Sequence, residues 1–182
     1  MNGPRHAPAA QVRVWDPVVR LCHWGLAVLV VLAWATRHGG GRWHEWLGYA
    51  AGAIVALRLI WGWTGPRYAR FAQFLRPPAA TIAYAKQVLA HRESRHLGHN
   101  PLGGWMAVLL LAAAGVTVAS GWLYVTDEFW GVHWVELLHS ACSDALLALA
   151  TVHVAGVLFT SARQRENLAA AMVHGRKRAA SE

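Results

Sequence analysis

Two histidines, His139 and His153, stand 14 residues apart inside one apolar stretch. On a helix advancing about 100° and about 1.5 Å per residue, that spacing sets them within roughly 40° of one face and about 21 Å apart. Two more, His23 and His44, lie near the ends of two other apolar stretches. Imidazole is a common transition-metal ligand, and ionisable groups inside a membrane helix are costly enough to mark function by default. Four imidazoles at two depths suit two metal centres, one toward each end of a helix bundle.

Those histidines need helices to hold them, and the composition supplies them. With 55% hydrophobic residues, 14% charged residues and 11 Trp in 182 positions, the chain reads as a single all-α integral membrane unit over residues 1–182. Residues 1–14 are polar and read as mobile. Asp16-Pro17 is a helix start, with Asp16 as cap and Pro17 in the first turn. The expected spans are about 18–34, 44–63, 105–125 and 135–161. Gly39-Gly40-Gly41 turns the chain after the first, Thr64-Gly65-Pro66 ends the second, and Pro101 with Gly103-Gly104 introduces the third. Between spans two and three, Pro77-Pro78 opens a helix through Leu89 that reads as a cytoplasmic interfacial segment.

The formal charge of +8 is not spread as a nucleic-acid surface would be. Fourteen of the 17 Lys and Arg fall in the N-terminal stretch, segment 64–100 and the tail, against Arg37 and Arg42 on the other side. This asymmetry puts both termini in the cytoplasm of a multi-pass bacterial inner-membrane protein and excludes nucleic acid as the partner. Trp15, Trp24, Trp34, Trp43, Trp46, Trp61, Trp63, Trp122 and Trp134 cluster near span ends, as aromatic belts do.

In that orientation His23 and His153 share the inner depth, and His44 and His139 the outer one. Each pair offers two axial nitrogens to one haem iron between helices. Zinc fits worse, because neither depth adds the Cys or carboxylate that a four-ligand site needs. His99 and His133, the competing histidines, read as solvated or lipid-facing. Cys22 and Cys142 form no C-x-x-C-H motif, so covalent haem attachment is not indicated.

The chain also resembles a family. The residues that carry the likeness are Val14-Trp15-Asp16-Pro17 through Arg20 to His23-Trp24, and His44 with Gly48-Tyr49. Further along they are Arg58-Leu59-Ile60-Trp61-Gly62, His99-Asn100-Pro101-Leu102-Gly103-Gly104-Trp105, the His139/His153 pair, Arg165-Glu166-Asn167-Leu168 and Gly175-Arg176-Lys177-Arg178. Over about residues 12–178 these resemble the bacterial di-haem cytochrome b561 family, which includes the b-type subunits of nickel–iron hydrogenases. The resemblance implies a four-helix membrane bundle, two non-covalent b-type haems with bis-histidine ligation, and electron exchange with quinone.

Arg20, one turn before His23, and Arg58, deeper in the second span, are candidate contacts for haem propionates. The alternative for both is snorkelling to lipid head groups. Bis-histidine irons have no open coordination position, so the reading is an electron-transfer protein linking quinone to a redox partner, relaying electrons rather than binding substrate at the iron, with quinol/quinone oxidoreduction as the activity open to it. That partner is expected to be an extracytoplasmic c-type cytochrome or a dehydrogenase subunit. Two alternatives keep the same fold: a superoxide:quinone oxidoreductase steered by Arg37 and Arg42, or a b-type subunit anchoring a hydrogenase or other dehydrogenase.

Overall fold

The structure, a computed structural model, describes residues 11–39 and 41–179. Its elements in chain order are β1 (Gln11–Arg13), α1 (Pro17–Ala35), α2 (Arg42–Thr64), α3 (Phe71–Phe74), α4 (Pro78–Leu89), α5 (Pro101–Tyr124), α6 (His133–Gln164), α7 (Leu168–His174) and β2 (Arg176–Arg178). Four of them, α1, α2, α5 and α6, are long and apolar enough to cross a membrane. Their outward surface is apolar as well: Leu21, Val31, Ile60, Leu109, Val152 and Leu158 are all exposed. A soluble bundle would bury such a surface, whereas lipid solvates it.

Local chemistry sets where the helices begin. The Asp16 carboxylate accepts the backbone N–H groups of Val18 and Val19 at 2.9 and 3.2 Å, so α1 starts at Pro17. Asn100 does the same for α5, accepting from Gly103 N at 2.7 Å with Pro101 in the first turn. Consequently α5 begins at Pro101, and Gly103 and Gly104 lie inside it rather than before it. Gly104 is tolerated there because a Cβ would run 2.7 Å from the Phe74 carbonyl. Helix α6 starts two residues earlier than expected and runs on to Gln164, where Arg165 takes the left-handed conformation that ends it.

The packing order is α1 on α2, α2 on α5 and α5 on α6. The mid-bundle core joins Val55, Ala114 and Leu146 with Leu26, Val30 and Leu110. Helix α6 packs closely on α5 and stands farther from α1 and α2, a wider gap that Leu146 bridges to Val55 at mid-bundle.

A second cluster closes the end of the bundle where β1 and β2 meet. Val14, Trp15, Val19 and Ala69 are buried there, with Val12, Trp61, Tyr68, Leu97 and Met172 packed around them. β1 and β2 pair antiparallel across it, Arg13 opposite Arg176. Residues 11–14, expected to be mobile, are therefore strand and core; the rest of that stretch, 1–10, and Gly40 of the glycine turn lie outside the described residues. The same cluster corrects the aromatic-belt reading at two positions. Trp15 is buried, and Trp61 donates its indole N–H to Asp16 at 3.1 Å, so both serve this core. An N-terminal polar sequence hides this because its strand partner is some 160 residues away.

Candidate functional site

The four histidines meet in pairs across the gap that α6 leaves. His23 on α1 faces His153 on α6 with ring centroids 6.2 Å apart. His44 on α2 faces His139 on α6 at 6.1 Å. The 14 residues between the two α6 histidines give an axial rise of about 21 Å, so the pairs sit toward opposite ends of the bundle.

The two pairs are supported differently. His44 Nδ1 lies 2.9 Å from the Ala33 carbonyl, and His139 Nδ1 lies 3.0 Å from the Thr117 carbonyl. A carbonyl only accepts, so each ring donates its Nδ1 hydrogen and presents Nε2 as a lone pair. His139 is also within 3.2 Å of the Ser120 hydroxyl. Gly121 lets α5 come this close, since a Cβ there would meet the His139 ring at 2.8 Å. In the other pair His23 Nδ1 is buried without a hydrogen-bond partner among the described residues. Gly48, one turn from His44, and Gly156, one turn from His153, would each present a Cβ to open space.

Next to the His23/His153 pair lies a polar cluster. Arg58 is buried; its Nη2 donates to the Ala69 carbonyl at 3.1 Å, its cation lies over the Phe71 ring, and Nη1 has no partner. Arg20 donates to the Val173 carbonyl while its Nε is buried without a partner. Arg58 is thus turned into the protein rather than out to head groups.

His99 departs from the sequence reading. Its ring packs between Trp15 and Phe74, at 4.7 and 4.5 Å, with Nδ1 buried and unpartnered. Burial, with the Arg58 and Lys177 charges nearby, pushes it down to about 3, so it is neutral at physiological pH. The sequence signal for this placement is Asn100-Pro101: the capped start of α5 folds the preceding residue back over the terminal core. His133, by contrast, is exposed, and pairs only with Glu136 at 3.8 Å.

The model for the family described as prokaryotic cytochrome b561 matches residues 14–175. The chain belongs to the prokaryotic cytochrome b561 family. It is accordingly a multi-pass membrane b-type cytochrome of electron transfer, built as a helical bundle. No curated protein and no solved structure matches the chain significantly.

The b-type haem that this family implies can be tested against the residues present. Two imidazoles that were to share one haem iron would need ring centroids roughly 6 Å apart. Both histidine pairs of this b561-family chain have that separation. Among the described residues no group of three or more His, Cys, Asp and Glu converges as a metal-ion cage would require. Two facing imidazoles at each depth are a donor set that would suit a haem, which carries its remaining nitrogens itself. The unpartnered Arg20 Nε, Arg58 Nη1 and His99 Nδ1 fit the carboxylates that a haem carries.

Proposed function

We propose that this cytochrome holds two b-type haems, one between His23 and His153 and one between His44 and His139. It carries electrons between the quinone pool and a redox partner, most simply a c-type cytochrome outside the cytoplasmic membrane. The observation that carries this reading is the facing of the two histidine pairs at 6.2 and 6.1 Å across the gap beside α6. Haem bound at such positions would supply reversible one-electron chemistry.

The chain's own residues do the positioning. Ala33 and Thr117 carbonyls fix the rings of His44 and His139 so that Nε2 points into the gap. Arg20, Arg58 and His99 offer hydrogen-bond donors to propionates at the other depth. The apolar flanks of α1, α2 and α6 keep water from both depths.

The end carrying both termini faces the cytoplasm in this reading. Thirteen of its described residues are Lys or Arg and three are Asp or Glu, which is the balance of a positive-inside surface. The opposite end presents Asp127, Glu128 and Glu136, all exposed, as the docking surface for a basic partner.

The test is the haem content of the purified protein by pyridine haemochrome. Two b-type haems per chain are expected, and one per chain overturns the pairing.

A further inference from the structure

The register of β1 and β2 sets Arg13 directly opposite Arg176. Like charges directly opposite in an antiparallel pair repel. Both side chains lie on the exposed face of the pair, and they cannot turn inward. The other face is taken by Val12, packed on the terminal core, and by buried Lys177, whose Nζ donates to the His96 carbonyl at 3.3 Å.

Neither guanidinium has an ion-pair partner among the described residues, because the described carboxylates of this end, Asp16, Glu93 and Glu166, are committed. Asp16 caps α1 and accepts from Trp61. Glu93 receives Arg163 at 2.8 Å. Glu166 receives Arg95 at 2.8 Å and the Arg178 backbone N–H at 2.7 Å.

His174 adds a third donor beside the two arginines. Its Nδ1 accepts the Arg176 backbone N–H at 3.1 Å, which leaves the hydrogen of the neutral ring on Nε2, pointing away. With Gln11 these residues line a surface cavity of about 360 Å³. Two guanidinium groups, an imidazole donor and an amide line it, with no carboxylate among the described residues.

We infer that Arg13, Arg176, His174 and Gln11 bind the phosphate of an anionic phospholipid head group. Lipid is the source favoured by position. Arg13 is four residues before α1, so chain length holds it within about 14 Å of the start of that apolar helix. A phosphodiester placed between the two arginines turns their repulsion into a shared attraction, and so clamps together the strands formed by the two ends of the chain.

The haem-loaded protein is reconstituted in phosphatidylcholine nanodiscs with increasing phosphatidylglycerol, and thermal stability and bound lipid are measured. Phosphatidylglycerol should stabilise the wild type and remain bound after transfer to detergent. The Arg13→Gln/Arg176→Gln variant should be at least as stable as wild type in pure phosphatidylcholine, because the repulsion is gone. Its affinity for phosphatidylglycerol should be about tenfold weaker. A charge-matched Arg67→Gln/Arg92→Gln variant should keep the lipid effect. Equal loss in both variants would mean general surface charge and would overturn the site. Stabilisation by inorganic phosphate equal to that by phosphatidylglycerol would overturn the lipid assignment. The haem spectrum, recorded in parallel, reports separately on the histidine pairs.

Discussion

His44 and His139 face each other from α2 and α6 at 6.1 Å, and each is turned toward the other by a hydrogen bond to a backbone carbonyl. Neither carbonyl can be removed by a side-chain substitution, and each lies within a membrane-length helix, Ala33 in α1 and Thr117 in α5. The orientation of this pair is thus written into the helix packing. His23, whose Nδ1 has no hydrogen-bond partner among the described residues, lacks that support and depends on packing.

Ligation by depth predicts selective losses. His153→Ala should remove one of the two proposed haems and leave the other, and His139→Ala should remove the other. Optical and EPR spectra of the two variants should therefore sum to the wild-type spectrum. Retention of both low-spin signals in either variant would exclude the assigned pairs.

Gly121→Val tests the packing behind His139. The added side chain meets a ring that a Cβ alone would approach to 2.8 Å. Displacing a supported ligand typically costs 10–100-fold in metal-centre affinity, so occupancy at the His44/His139 depth should drop while the His23/His153 signal persists. Gly156→Ala, where a Cβ meets open space, should be tolerated for folding and serves as the comparison.

The apolar stretches, the cap at Asp16 and the 14-residue spacing were all visible in the sequence, because each depends on local periodicity or on neighbouring residues. What could not be read depends on contacts distant along the chain. The β1–β2 pair joins residues near positions 12 and 177, and no local pattern announces three-residue strands. His99 looked like a span-edge histidine, yet its surroundings are Trp15 and Phe74, set by how the connection folds back. The depth of Arg58 in its span favours an inward side chain over one reaching head groups, but the Ala69 carbonyl that it meets lies beyond the end of α2 and is not legible from spacing.

His99 also gives a pH signature. Its folded value is about 3 against an ordinary 6.5, so between those values the unfolded chain takes up a proton that the folded one refuses. Stability should fall as the pH drops below about 6.5, by about 1.4 kcal/mol per pH unit at most. Burial raises the Glu166 carboxyl, but the bonds from Arg95 and the Arg178 backbone more than reverse this and leave it below its ordinary 4.5. Its contribution is therefore lost only at lower pH, and because the other buried histidines share the window from 6.5 to 4.5, substitution of His99 is what separates its part of the slope. Thermal unfolding across that window should show a shallower pH slope for His99→Gln than for wild type. Identical slopes would remove His99 as the source.

The proposed topology is open to a direct check. Cysteines introduced at His38 and Ala179, in a protein with Cys22 and Cys142 replaced by serine, should react with a membrane-impermeant maleimide from opposite sides of sealed vesicles. Labelling from the same side would contradict the assignment of inner and outer depths, although the histidine pairs themselves would stand.

The acidic end carries the last expectation. Asp127 and Glu128 lie in the turn between α5 and α6, and Glu136 lies in the first turn of α6, one turn before His139. All three are exposed, and the segment from Val125 to Val135 contains no Lys or Arg to neutralise them. A basic protein docking there would approach the His44/His139 depth, the shorter route for an electron leaving or entering the bundle. Encounters of this kind are steered by charge, so their rate should fall steeply with salt while affinity stays modest. Stopped-flow electron transfer between the quinol-reduced protein and a basic c-type cytochrome, across an ionic-strength series, measures that slope. The Asp127→Asn/Glu128→Gln/Glu136→Gln variant should react several-fold more slowly at low salt and converge with wild type at high salt. Because the three carboxylates only solvate the loop in the competing view, an unchanged rate and an unchanged salt slope would move the docking surface elsewhere on the protein.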